Sequence, residues 1–157
     1  VFRRLAQDVK AFHDFCEAEA ARLRPQWPDM SASWLAALIV GRWPSGAPLR
    51  QGISADPGST IPPDNSFTFH GDEGHTCPFG AHIRKVNPRK GAGDVVDVPR
   101  MLRRGIPFGP RLKDEPAAER GLLFLAYQSS IQNTFEFVTV QWMNSDRRPG
   151  PGDDVLI

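Results

Sequence analysis

The stretch CPFGAHIRKVNPR, Cys77 to Arg89, sets one imidazole between two small residues and three cationic side chains. His82 in that setting has three readings: a metal ligand, a catalyst, or an ordinary side chain in a basic loop. By residue type alone the last is the commonest, since histidine is only intermediate in burial. The neighbours shift that balance. Gly80 and Ala81 leave space in which a flat group could approach, and Arg84, Lys85 and Arg89 could hold anions through charge-assisted hydrogen bonds.

A second cluster, RMLRRGIPFG, carries Arg103 and Arg104 side by side. In extended chain, adjacent residues face opposite ways, so one can enter a pocket while the other meets solvent. In GLLFLAY, Leu122 and Phe124 share one face and Leu123 and Leu125 the other; plain core is the simpler reading. His70 and His75 lie in HGDEGHTC with Asp72, Glu73 and Cys77, but the spacing matches no metal-ligand pattern, and a solvated turn is expected. His13, beside Asp14, reads as a surface or boundary residue. No GxSxG, GxGxxG, Walker loop or HExxH occurs. A neutral imidazole beside small residues and arginine forks suits a planar, dianionic cofactor, and haem fits: one histidine to iron, arginine to the propionates.

These residues need elements to hold them. Phe2, Leu5, Val9, Phe12 and Cys16 recur at spacings of three and four, which predicts an amphipathic helix over residues 1–23, ended by Pro25. SASWLAALIVGRW predicts a second helix, with Ser31 or Ser33 as cap and Gly41 near its end. Residues 44–80, rich in Pro, Gly, Ser and Asp, leave room only for a short strand at SFTF. A loop of that length is usually functional or a surface wrap. KGAGDVVDVP is another loop. RMLRRGIPFGP predicts a short strand, and ERGLLFLAYQS a strand buried on both faces. SIQNTFEFVTVQWMNS reads helical, with Ile131, Phe135, Val138 and Trp142 on one face. The order suits an α+β domain better than a parallel α/β one, and the remaining strands of its sheet are expected outside this chain.

Composition sets bounds. The chain has 157 residues, 40% hydrophobic, enough for one domain with a core. A net charge of +1 argues against a nucleic-acid or anionic-membrane partner, although many of the cations lie between Arg84 and Arg111. No run is long enough to span a bilayer. Two distant cysteines, Cys16 and Cys77, exclude a disulfide-rich scaffold and a four-thiolate zinc site. The opening VFRRLAQDVK has neither an initiator Met nor a signal-peptide pattern, so a processed or excised piece is expected. Neither compartment, secreted or cytoplasmic, nor oligomeric state is legible.

CPFGAHIRKVNPR, MLRRGIPFGP and ERGLLFLAYQSSIQNTFEFV…QW, in that order, resemble the C-terminal haem half of the dye-decolourising peroxidases, and LAALIVGRWPSGAPL is similar to the helix and turn before their haem loop. The resemblance implies a ferredoxin-like half, truncated at both ends, of a two-half enzyme that oxidises dyes and phenols with hydrogen peroxide through one haem b. It implies His82 as proximal iron ligand and Arg103 as the distal arginine acting on peroxide. It also implies Arg89 at a propionate and Leu122 with Phe124 over the distal face. Trp142 falls where some members carry a surface aromatic that passes electrons; a core tryptophan is the equal alternative. Cys77 becomes a packed thiol. The family's proton-moving aspartate, in a GxxDG-type motif of the N-terminal half, has no match here. The acid that hydrogen-bonds the proximal imidazole is expected beyond residue 157. The N-terminal half, as a separate chain or fragment, is then the expected partner. A haem-binding fragment inactive without a second chain is the alternative, and an unrelated α+β module holding an anion in its basic loop is a third.

Overall fold

A computed structural model describes residues 1–59, 64–89 and 99–156. Most of the predicted loop KGAGDVVDVP lies outside the described residues.

The first 23 residues are not one helix. Phe2–Ala6 is a strand, β1, and helix α1, Val9–Leu23, starts only after Asp8, whose carboxylate accepts a hydrogen bond from Ala11 N at 2.9 Å. The helical spacing runs across this break, but β1 is recruited by β3, Gly121–Tyr127, and the pairing outweighs the local pattern. Strand β2, Leu102–Phe108, takes the other edge of β3, giving a three-stranded antiparallel sheet of order β1-β3-β2. In its register Arg3 and Gly105 flank Phe124, and Arg103 lies opposite Ala126. β3 is half-buried along most of its length rather than buried on both faces. One of its faces fronts a cavity, and the sheet exposes Phe2, Leu102, Ile106 and Tyr127.

Helix α2, Ala32–Val40, follows its signals. Ser31 Oγ accepts from Trp34 N at 3.1 Å, and Gly41 closes the helix at φ 92°. It packs on α1 and on the short helix α3, His82–Val86.

The long loop is no surface wrap. It supplies Ala47, Leu49, Phe67, Phe69 and Cys77 to a buried cluster completed by Ala37, Trp43 and Ala81. SFTF is not a strand: Phe67 and Phe69 meet edge-on at 5.5 Å, and the segment is tied down by a hydrogen bond from Phe69 N to Arg89 O. Trp43 Nε1 donates to Gly52 O at 2.7 Å, and the Asp72 carboxylate accepts from Thr76 N and Cys77 N. These bonds give irregular backbone the partners that a sheet would otherwise supply.

After β3 the chain is helical, but wound wide. Ile131–Glu136 and Val138–Met143 are π-type segments joined through Phe137, and Asn144 N bonds back to Thr139 O. The buried residues are therefore Thr134, Val138 and Trp142, four apart, while Ile131 is exposed. Of the expected stripe, Phe135, Val138 and Trp142 keep to the inner side and Ile131 leaves it, because each turn takes up more residues.

Candidate functional site

His82 opens α3 and stands with its side chain partly exposed at the wall of a cavity of about 1240 Å³. The sheet provides Arg3, Arg103, Leu122 and Phe124 on one side, and the π-type segments provide Phe135 and Thr139 on the other. Asn65, Phe67 and Arg89 also line it. Arg103 and Arg104 do part company, since only Arg103 is in the lining. So are Leu122 and Phe124, as β3's alternation requires. Arginines 3, 89, 100 and 103 all line this space, and among the described residues no Asp or Glu does. The cavity therefore favours a group of negative charge.

The decisive contact comes from the far end of the chain. His82 Nδ1 lies 2.7 Å from Asp154 Oδ2, and the Asp154 side chain is fully buried. The other carboxylate oxygen accepts from Leu156 N at 3.1 Å. An acceptor at Nδ1 holds the proton there and leaves the Nε2 lone pair for a metal. The acid expected beyond residue 157 is thus present at Asp154. Sequence reading missed it because a carboxylate in a Gly/Pro-rich segment has no local signature.

Gly80 does not leave room for a ligand. A Cβ there would stand 2.5 Å from the carbonyl oxygen of Asp153, so the space beside His82 admits the segment that brings Asp154. Nor are Arg84 and Lys85 free for an anion. Arg84 is buried, donates to Asp72 and to Cys77 O, and lies 4.2 Å over the ring of Phe79. Lys85 is fully buried and donates to the carbonyls of Ser145, Arg148 and Gly150. Burial pulls its pKa down, against the pull of Asp153, Asp154 and Asp146.

Arg89 remains. Its backbone sits at φ 42°, rare for a residue with a side chain, and its guanidinium lies 4.2 Å over Phe67 and donates to Asn65 O. Its Nε is buried and has no hydrogen-bond partner among the described residues. Burial is the main cause of its lowered pKa, and nearby Arg42 adds to it. A strained, desolvated cation with an unmet donor, beside a cavity that no carboxylate lines among the described residues, is a fit for an anionic group such as a haem propionate.

Trp142 is only 4% exposed and packs edge-on to Phe137 at 5.2 Å, so it is a core residue and not a surface aromatic. Cys77 is buried, and burial pushes its thiol up to about 12. His13 is exposed. His70 and His75 join no group of three or more potential metal ligands among the described residues. No helix among the described residues is long and apolar enough to cross a membrane.

Most of the similar known proteins are dye-decolorizing peroxidases. Residues 26–155 match the family profile described as Dyp-type peroxidase, C-terminal. The chain is 38% identical to dye-decolorizing peroxidase msp1 of Mycetinis scorodonius over 175 residues, covering 100% of this chain and 34% of that protein. It is 37% identical to multifunctional dye peroxidase DyP2 of an Amycolatopsis species, covering 98% of this chain and 35% of that one. The chain therefore spans about a third of the length of these relatives. A solved dye-decolorizing peroxidase in complex with 2,6-dimethoxyphenol superposes with a TM-score of 0.80 at 35% identity, over 96% of this chain and 38% of that one. A DyP-type peroxidase from Anabaena superposes equally well at 31% identity, over 98% of this chain and 35% of its own. The sheet and helices described above are thus the ferredoxin-like α+β arrangement of those enzymes. A profile that matches most of the chain and a fold shared over nearly all of it place this chain in the Dyp-type peroxidase family, as its C-terminal part.

Proposed function

We propose that this chain is the haem-holding part of a hydrogen-peroxide-dependent peroxidase acting on dyes and phenols, with one haem b bound in the cavity beside His82. The observation that carries the reading is the buried Asp154 carboxylate bonded to His82 Nδ1 at the wall of an arginine-lined cavity that no carboxylate lines among the described residues. Haem, when bound, supplies an iron centre able to exchange electrons with peroxide and with organic reductants.

The protein's own groups do the rest. His82 would offer Nε2 to the iron, and Asp154, by accepting a hydrogen bond from Nδ1–H, fixes the tautomer and ring orientation that leave that nitrogen free. Arg89 binds a propionate with its unmet Nε–H. Leu122 and Phe124, apolar and in the cavity lining, would keep water from a group bound there. Arg103 stabilises negative charge developing on the departing oxygen of peroxide. A proton must also pass from one peroxide oxygen to the other. Among the described residues no carboxylate lines the cavity to carry it; the family resemblance assigns that step to an aspartate in an N-terminal half.

That last point favours a second reading for the isolated chain: haem binding with little or no turnover, until the segment bearing the distal acid is supplied. The reading as a whole is tested by the absorption spectrum of the full-length polypeptide carrying this chain, after reconstitution with haem. A Soret band that is present in the unmodified protein and lost in His82→Ala is expected. A Soret band unchanged in His82→Ala would overturn the ligand assignment, and none in the unmodified protein would remove the haem reading. Turnover at the full-length rate by residues 1–157 alone would overturn the need for the second segment.

A further inference from the structure

We propose that Lys85 is the positioning residue for the His82–Asp154 pair: its buried ammonium clamps the loop that delivers the carboxylate. The inference rests on His82 being the haem ligand. Lys85 Nζ donates to Ser145 O at 2.5 Å, Arg148 O at 2.8 Å and Gly150 O at 3.0 Å. An ammonium carries three protons, so its donors are all spent on one loop. That loop is closed by Gly152 N, which donates to Asp146 O at 2.8 Å, and Asp154 follows two residues later. The second anchor is Gly80, whose missing Cβ makes the space occupied by the carbonyl of Asp153.

Both anchors flank His82, Gly80 two residues before it and Lys85 three residues after. The same short segment that carries the imidazole therefore fixes the path of its acid. The arrangement answers an energetic problem. A fully buried carboxylate is costly and gains by swinging into water. For the loop to let it go, three carbonyls would have to leave a buried ammonium, which is costly in turn. Lys85 does not line the cavity, and acts through Asp154.

The test uses the full-length polypeptide carrying this chain, loaded with haem and reduced, and reads the iron–histidine stretch by resonance Raman spectroscopy. That frequency follows the strength of the hydrogen bond at Nδ1. Asp154→Asn sets the weakened-bond reference, at lower frequency. Lys85→Met, which removes the donors, and Gly80→Ala, which pushes a methyl at Asp153 O from the other side, are both expected to move the frequency towards that reference. Lys85→Gln, with two donors, should fall between. Adding Lys85→Met to Asp154→Asn should shift it no further. A Lys85→Met protein that melts earlier but keeps the unmodified frequency would make the lysine a fold stabiliser only and overturn the proposal. Should Lys85→Met not fold, an unshifted frequency in Gly80→Ala and Lys85→Gln overturns it equally. Failure of the ligand assignment looks different: the unmodified protein would then show no iron–histidine stretch at all.

Discussion

The imidazole of His82 and the carboxylate of Asp154 meet at 2.7 Å although 72 residues separate them along the chain. The pair decides which ring nitrogen keeps its proton, and with it how strongly the other can donate to a metal. Asp154→Asn keeps an acceptor oxygen but removes the charge. Turnover of the haem-loaded, full-length protein is expected to fall by about 10–100-fold, the usual cost of losing a partner that orients a metal-bound histidine. Steady-state dye oxidation at fixed peroxide measures it, and an unchanged kcat would reduce the pair to a structural contact.

Arg103 projects from β2 into the cavity with no ion-pair partner among the described residues. Its truncation should spare cofactor binding and strike the chemistry. For Arg103→Leu the Soret band should persist while kcat drops on the order of 10²–10³-fold, the range for removing a donor that stabilises developing charge. Loss of the band together with activity would make Arg103 a haem anchor instead.

Gly41 ends α2 at φ 92°, and a Cβ there would stand 2.4 Å from Ile83 Cγ1. Ile83 directly follows His82, so the contact bears on where α3 begins. Gly41→Ala should destabilise the protein by about 1–3 kcal/mol, the cost of a strained left-handed residue, before the clash is counted. Urea titration gives the value. Pairing it with Ile83→Ala should cost less than the sum of the two single changes, since residues in contact do not act independently.

Cys77 is buried, and burial disfavours its thiolate, pushing the thiol from 9.0 up to about 12. A thiol-specific reagent at pH 8 should leave Cys77 untouched in the native protein and label it on unfolding. The sign for stability follows. The folded state binds this proton more tightly than the unfolded state, so its contribution is complete below pH 9.0 and is lost as pH rises towards about 12. A Cys77→Ala variant should show a shallower decline in stability over that range.

Where side chains were ordered by a short repeat or a fixed turn, the sequence already showed the answer. Ser31 and Gly41 bound α2 as their chemistry requires, and the alternation of β3 sent Leu122 and Phe124 to the cavity. Where the cause was a distant partner, local pattern misled. Phe2 and Leu5 kept helical spacing with Val9 but were taken into the sheet by β3. Val138 and Trp142 are buried, as the helical count had them, but Ile131 is exposed because the helix is wound wider than 3.6 residues per turn. Arg84 and Lys85 looked able to hold an anion because sequence shows charge and not the carbonyls that surround it. Asp154, one of 18 acidic residues in the chain, was distinguished by nothing until the fold brought it to His82.

The route by which Asp154 reaches His82 also has a meaning in time. A ribosome releases the imidazole long before it releases the carboxylate, so a nascent chain carries an unpartnered histidine until residue 154 has emerged and the 72-residue loop has closed. A chain cut short before residues 145–154 would keep His82, Arg89, Arg103, Leu122 and Phe124 and still lack the buried carboxylate that holds the Nδ1 proton.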